Sequence, residues 1–227
     1  GAASGIGAAT AMAVVAQGGI AVLVDCDDEP LAAIARQCGS RGFAYVADVS
    51  DLASMRAAVE AVMAAYGRID VVFANAGIAA FGPVSHVDPD AWWRCMEVNA
   101  RGVFNTVRCA LDAVKKQRGY VLLNVSMSAL AHAPVMSAYA ASKSAIEAMG
   151  NAWRIELAAR GVAVGLAYAG WVRTPLVTEG ALHPAFLRLR STMPSVLNKE
   201  ISAADAARVI VRGMQRRTRR IWIPGWL

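Results

Sequence analysis

Apolar residues along this chain fall into two alternating patterns. Short continuous runs occupy 20–24 (IAVLV), 43–47 (FAYVA), 69–75 (IDVVFAN), 120–125 (YVLLNV), 162–168 (VAVGLAY) and 221–223 (IWI). Between them lie longer, Ala-rich stretches whose apolar residues recur at three- and four-residue spacing. These are Leu52 to Tyr66, Ala91 to Lys116, Ser137 to Arg160 and Ala203 to Gln215. The first pattern predicts strands and the second amphipathic helices. The strand runs are continuous rather than alternating, as a sheet covered on both faces requires. Asp51 and Ser202 stand just before helical stretches and are predicted N-caps. Strand and helix in alternation predict an α/β fold: a single doubly wound parallel sheet with right-handed crossovers and helices on both faces.

No internal repeat and no linker interrupts the pattern, so residues 1–227 are expected to form one domain. The exception is Gly170 to Ile201, a long segment with Pro175 and Pro184, which reads as a loop and as a lid over a site. The chain starts on GAASGIG, Gly1 to Gly7, a glycine-rich turn leading into a helical stretch. In a sheet of this type such a turn follows the first, central strand, and that strand is expected ahead of Gly1.

Composition narrows the function classes. The chain is 56% hydrophobic and 18% charged, which excludes disordered and collagen-like proteins. The longest stretch without Asp, Glu, Lys or Arg, Gly119 to Ser142, contains Asn124, His132, Pro134 and several serines. A strand and loop suit it better than a membrane helix. The four cysteines (Cys26, Cys38, Cys95, Cys109) and three histidines (His86, His132, His183) show no ligand spacing, so no metal site is predicted. Reduced thiols fit a cytoplasmic protein. Of the net charge of +6, five arginines fall between Arg212 and Arg220. They suit a helix C-terminus, with contact to anionic lipid or nucleic acid through Arg212–Arg220, Trp222 and Trp226 as the rival reading.

Candidate chemistry sits at two places. In Gly1-x-x-x-Gly5-x-Gly7 the absent side chains let backbone N–H groups and a helix N-terminus approach a pyrophosphate. Asp25 ends the next predicted strand, where a carboxylate can accept hydrogen bonds from an adenosine ribose and would repel a 2′-phosphate. The following Cys26, Asp27, Asp28 and Glu29 include no arginine, so charge favours NAD over NADP. An acidic loop capping the next helix is the alternative. The second place is Tyr139-Ala-Ala-Ser-Lys143 at the start of a helical stretch, where the i, i+4 spacing puts phenol and ammonium on one face. A free tyrosine, with a pKa of about 10, is a poor base at neutral pH. A nearby ammonium and a cationic nicotinamide ring would favour its phenolate, which could exchange a proton with a substrate hydroxyl or carbonyl.

GAASGIG, the Asn75-Ala76-Gly77 triplet after a strand, and YAASK together resemble the short-chain dehydrogenase/reductase family, in order and over essentially the whole chain. The resemblance implies a Rossmann-type fold and a nicotinamide cofactor. Its TGxxxGxG loop matches Gly1, Gly5 and Gly7, with Ser4 and Ile6 in the same turn. Its Asp-Val pair near the adenine matches Asp48 and Val49, its NAG motif Asn75, Ala76 and Gly77, and its helix asparagine Asn99. The family's catalytic serine falls on Ser126, thirteen residues before Tyr139, with Ser128 as the rival. Asn124 is assigned to structure alone. After the sixth strand the family has Pro-Gly and then a threonine that holds the nicotinamide carboxamide. Here Ala169 replaces the proline, and Gly170, Val172 and Thr174 keep their places.

The implied reaction is hydride transfer between a carbinol carbon and the nicotinamide. Tyr139 is acid/base, and Lys143 lowers its pKa and binds the nicotinamide ribose. Ser126 hydrogen-bonds the substrate oxygen, and Asn99 positions a water that links Lys143 to solvent. Trp171, Leu176, Leu182, Phe186, Leu187 and Met193 give the lid an apolar character and point to a hydrophobic alcohol or ketone. The two long helical stretches, Ala91–Lys116 and Ser137–Arg160, are apolar over much of their circumference, and the resemblance implies that they pair into a homodimer or homotetramer. An NADP-dependent reductase and a non-catalytic dinucleotide-binding regulator are the alternatives.

Overall fold

The computed structural model describes residues 1–180, 184–192 and 198–225. Helix α1 (Gly5–Ala16) follows the glycine turn and leads into β1 (Ala21–Asp25). Two units follow, α2 (Asp28–Gln37) with β2 (Gly42–Val46) and α3 (Leu52–Tyr66) with β3 (Val71–Ala74). Then come α4 (Pro89–Met96), α5 (Gly102–Lys116), β4 (Tyr120–Asn124), α6 (Ser137–Ala158) and β5 (Ala163–Ala169). The last part holds β6 (Val172–Arg173), α7 (Pro175–Gly180), α8 (Pro184–Thr192), β7 (Ile201–Ser202), α9 (Ala203–Gln215) and β8 (Arg220–Ile223). The two predicted caps close their helices. An Asp51 carboxylate oxygen accepts from the Ala53 N–H at 2.8 Å, and Ser202 Oγ accepts from that of Asp205 at 3.0 Å.

The fold is α/β and Rossmann-like, a parallel sheet with helices around it. Strands β3, β4, β5 and β8 pair in that order, all parallel, with Val72 opposite Val121 and Val121 opposite Val164. Alternation along β4 feeds two cores. Val121 and Leu123 pack with Val103, Val107 and Val114 of α5 and Ile146 of α6, while Tyr120 and Leu122 pack with Ile210 of α9 and Ile221 and Ile223 of β8. Leu122, Leu123 and Leu166 have no exposed surface. Burial of each such side chain stabilises the fold by about 2 kcal/mol.

Three features differ from the sequence expectation. First, the sheet is hydrogen-bonded in parts: β1 pairs with β2 apart from the four-stranded ladder, and β6 pairs with β7 in a two-residue ladder of its own. Residues of β1 and β3 line a cavity of about 820 Å³ together with Thr10, Val62 and Val103. At the other edge β2 is open to solvent, with Val46 55% exposed, so its apolar run does not mark burial on both faces. Second, the Ala91–Lys116 stretch is not one regular helix. A π-helical turn at Glu97–Arg101 joins α4 to α5 and carries Asn99. Third, the Gly170–Ile201 segment is not a plain loop, because α7 and α8 lie within it. Leu182, His183, Met193 and Trp226 lie outside the described residues.

Candidate active site

The expected site residues gather beyond the carboxyl ends of β1, β3, β4 and β5, the end of an open parallel sheet where ligands bind. Asn75 follows β3, and its Nδ2 donates to the Gly1 carbonyl at 2.7 Å. A methyl group built on Gly7 would lie 1.8 Å from that carbonyl oxygen, and one built on Gly1 would lie 2.5 Å from Ala76 Cα. Both contacts require glycine. Gly5 has φ +54°, and a methyl there would lie 3.0 Å from Thr174 Cγ2, so the turn also abuts the segment after β5. Ser4 occupies the N-cap position of α1 without a side-chain cap, and the first turn holds no acid. That free positive helix end suits a pyrophosphate. Ile6 points the other way, against the core around Ile210.

The remaining cofactor-side candidates are held more tightly than the sequence showed. The Asp25 carboxylate accepts from the Ala3 N–H at 2.9 Å and the Asp27 N–H at 3.3 Å, tying the glycine turn to the end of β1. The side-chain oxygens of Asp25 and Asp27 and the Cys26 sulfur lie within 4.8 Å of one another. Asp48 accepts from both the Ser50 N–H and Oγ, and from Arg94 Nη2 at 3.1 Å. The Ser50 hydroxyl and then Arg94 hold its carboxyl below the usual range. The Val49 carbonyl accepts from Asn105 Nδ2 at 2.8 Å. Gly170 N–H donates to the Ile223 carbonyl, buried Val172 pairs with Ile201, and the Thr174 carbonyl accepts from Thr178 in the first turn of α7.

The four proposed catalytic side chains converge. Tyr139 and Lys143 rise from the first turns of α6, with Lys143 Nζ 5.5 Å from the centroid of the tyrosine ring. Lys143 is 2% exposed, and its Nζ donates to the Asn124 carbonyl at 2.7 Å. Burial pulls its pKa down to about 8. Burial pushes the half-buried Tyr139 phenol up to about 12, opposed by a hydrogen bond with Ser126. Ser126 is buried at the end of β4, and its Oγ donates to the Ala169 carbonyl at 3.4 Å. Its Oγ also accepts from the Ser128 N–H at 3.1 Å. Asn99 Oδ1 accepts from the Ile78 N–H at 2.8 Å, and its Nδ2 donates at 2.9 Å to the Ile78 carbonyl and to Ser142 Oγ. Asn99 thus braces the segment after the NAG triplet against α6. A methyl built on Gly77 would lie 3.3 Å from Asn99 Oδ1 and 3.5 Å from Lys143 Nζ, so Gly77 borders the ammonium.

Residues 1–183 match the sequence profile of short chain dehydrogenases. The chain belongs to the short-chain dehydrogenase family. It is 34% identical over 183 residues to the 3-oxoacyl-acyl-carrier-protein reductase FabG of Thermotoga maritima, covering 79% of this chain and 74% of that one. Among solved structures, the 3-ketoacyl-acyl-carrier-protein reductase of Brucella melitensis, complexed with NADH, superposes with a TM-score of 0.88 at 26% identity, covering 98% of this chain and 93% of that one. The alcohol dehydrogenase of Thermococcus sibiricus, complexed with 5-hydroxy-NADP, gives 0.82 at 26% identity, covering 98% and 91%. Family membership makes this an oxidoreductase acting on CH–OH groups with a nicotinamide dinucleotide, and the uncapped α1 terminus and its glycine turn fit that group. Among the described residues no helix is long and apolar enough to cross a membrane.

The candidate site also contains residues to which sequence reasoning gave no part in the chemistry. Cys95 lies one helical turn before Asn99, is fully buried and donates to the same Ile78 carbonyl at 3.3 Å. Arg94 reaches from α4 to Asp48 and Ser50 across 46 and 44 residues of sequence. Asn124 supplies the carbonyl that holds Lys143. The spacing Cys95-x-x-x-Asn99 could have flagged the first; no local pattern announces the other two.

Proposed function

We propose that this dehydrogenase transfers a hydride between NAD(H) and a hydrophobic secondary alcohol or ketone. The observation that carries the reading is the meeting of Tyr139, Ser126 and Lys143 beside Gly77, at the end of the sheet where the glycine turn opens. A bound nicotinamide supplies the hydride acceptor or donor. The rest is the work of this chain. The Tyr139 phenol exchanges a proton with the substrate oxygen, and the Ser126 hydroxyl donates to that oxygen as charge develops on it. The Lys143 ammonium, with the cationic nicotinamide, offsets the burial that raises the phenol, and it binds the nicotinamide ribose. Asn99 positions a water that links Lys143 to solvent. Thr174, against Gly5, faces the carboxamide.

Preference for NAD rests on Asp25, whose carboxylate stands beside Cys26, Asp27, Asp28 and Glu29 with no arginine among them. Apolar specificity rests on the lid, where Phe186 is 1% exposed and meets the rings of Phe81 and Trp171 edge-on at 5.4 and 5.3 Å. Assembly into a homodimer or homotetramer rests on exposed apolar residues of α5 and α6, where Phe104 is 46% exposed against Trp153 and Ile155 is 78% exposed. The basic segment has less to offer a membrane, since Trp222 stacks on Tyr168 at 4.6 Å.

Fluorescence titration with NADH and then NADPH tests the cofactor, followed by a panel of apolar and polar alcohols. Tighter NADH binding and turnover of apolar alcohols that vanishes in Tyr139→Phe supports the proposal. Tighter NADPH binding overturns the Asp25 argument, and turnover confined to sugars or small polar alcohols overturns the substrate class.

A further inference from the structure

Asn124, the last residue of β4, connects the two halves of the site. It is 8% exposed. Its backbone carbonyl accepts from Lys143 Nζ at 2.7 Å, and its side-chain Nδ2 donates to Asn75 Oδ1 at 2.8 Å. Asn75 Nδ2 in turn donates to the carbonyl of Gly1 at 2.7 Å. Three short hydrogen bonds thus run from the ammonium to the glycine turn, passing through both polar ends of one residue. Asn124 Oδ1 is buried and has no partner among the described residues. A strand-end residue serving packing alone would not carry an unpaired buried acceptor, because leaving one dry is costly. A leucine there would fill similar space without that cost.

We propose that Asn124 is a positioning residue that couples the Lys143 ammonium to the glycine turn. The coupling rests on the reading of Lys143 and the turn given above. The Asn75 amide can hold the Gly1 carbonyl in place only while its own oxygen is fixed by Asn124 Nδ2. The same bond fixes the plane of the strand end, and with it the direction of the carbonyl that receives Lys143. Settling of the turn on a ligand would then be felt at the ammonium, and the position of the ammonium would be felt at the turn. The hydrogen-bonded route from Asn75 to Lys143 passes through Asn124, and the backbone of the same triplet borders the ammonium at Gly77, so the double variant separates the two. The titratable groups facing Lys143 are Tyr139 on its own helix and Cys95 on α4.

The test uses the titration of lysine ε-carbons by NMR in the ligand-free protein. Four lysines (Lys115, Lys116, Lys143 and Lys199) give four signals, with Lys143→Met for assignment. Asn75→Ala should lower the Lys143 midpoint by roughly 0.5, the effect of weakening a hydrogen bond to the charged form. Asn124→Leu should lower it by at least as much. The double variant should match Asn124→Leu alone, since the path is already cut. In the same proteins the dissociation constant for the preferred dinucleotide should rise roughly tenfold in either single variant and no further in the double. A Lys143 midpoint unmoved by Asn75→Ala, or effects that add in the double variant, overturns the coupling. If Asn124→Leu does not fold, the Asn75→Ala titration decides the matter by itself. Because the NMR arm needs no ligand, a wild-type protein that binds neither NADH nor NADPH would sink the proposed function while the coupling is judged separately.

Discussion

The proposed catalytic end of β4 and the proposed lid after β5 are built on different physics. Around Lys143, position is set by buried polar atoms: Asn124, Asn99, Ser142 and Ser126 each hold a partner at a fixed distance and direction. In the lid, position is set by shape. Phe186 is wedged between Phe81 and Trp171, and Arg190 lies over the Trp171 ring at 4.8 Å. Directional bonds tolerate little displacement, because an unpaired buried partner is costly. Apolar contacts can slide and re-form around ligands of different outline. One region is therefore suited to a chemistry shared by many substrates, and the other to choosing among them. Substitutions should separate the two: loss of the Tyr139 hydroxyl should abolish turnover with dinucleotide binding kept, and changes in the second region should alter substrate binding with turnover kept.

The largest expected effect tests the first half of that contrast. Tyr139→Phe removes the hydroxyl and leaves the ring against Ala80, Cys95 and Ala138. The turnover number should fall by roughly three orders of magnitude, the scale of general acid–base catalysis. Dinucleotide affinity should stay within about twofold, because the ring and Lys143 remain. Steady-state rates beside a binding titration check both at once. A parallel loss of binding would mean that the phenol builds the site instead of operating within it.

Next is the cost of burying Lys143. Its pKa of about 8 lies below the ordinary 10.5, so the folded protein releases this proton more readily than the unfolded chain does. Below pH 8 both states carry the charge and the full burial cost applies, about 3 kcal/mol by the pKa difference. Between pH 8 and 10.5 the unfolded chain binds more protons, so this group's contribution to stability rises with pH. Denaturant unfolding of the wild type and Lys143→Met at pH 7 and pH 10 isolates it. The wild type should gain on the variant at the higher pH, whereas a constant gap would show that the ammonium is solvated in the folded state. Activity should move the opposite way, falling above pH 8 as the charge is lost.

How much of this was legible beforehand follows the same division. The alternation of apolar runs and amphipathic stretches predicted the parallel sheet because burial on both faces leaves a mark on every residue of a strand. Helices α3 and α9 begin and end where the periodicity places them, and their caps stand at Asp51 and Ser202. The interruption of the α4–α5 stretch was not legible, since the π-helical turn carries Asn99, whose partner Ile78 lies 21 residues away. In the same way Asn124 reads as an ordinary strand-end residue until Asn75 and Lys143 are brought against it from 49 residues before and 19 after. Spacing singled out Tyr139, Lys143 and Ser126 as candidates because they obey local or family intervals. The residues that hold them do not. In the lid, composition gave the apolar character but not α7 and α8, since short helices around Pro175 and Pro184 leave little periodic signal.

A smaller effect probes the lid by itself. Phe186→Ala removes the wedge between Phe81 and Trp171, and it should raise KM for an apolar alcohol by roughly tenfold, the order of one lost aromatic contact. The turnover number should change by less than about threefold, because no atom of Phe186 is bonded to the catalytic residues. A KM that rises equally for the smallest alcohol in the panel would show that the clasp holds the site together and does not select.

The smallest effect concerns what fastens the clasp. Arg190 Nη1 donates to Glu200 Oε1 at 2.5 Å, and its Nε donates to Asn198 Oδ1 at 2.8 Å, joining α8 to the residues before β7. Arg190, and after it Arg173, holds the Glu200 carboxyl below its ordinary 4.5. The carboxylate therefore stabilises the joining of α8 to the residues before β7 fully above pH 4.5, and that contribution is lost as pH falls through the lowered value of the folded state. Both side chains are partly exposed, so the contribution is about 0.5 to 1 kcal/mol. Because the Arg190 guanidinium covers Trp171, release should change the emission of that tryptophan during an acid titration taken before global unfolding. Arg190→Gln should remove the change while leaving the Tyr139-dependent turnover of small alcohols intact, because the catalytic end does not depend on the lid for its geometry. An unchanged acid transition in Arg190→Gln would mean that aromatic packing alone closes the lid, and the contrast between directional and shape-fitted regions would then be sharper still.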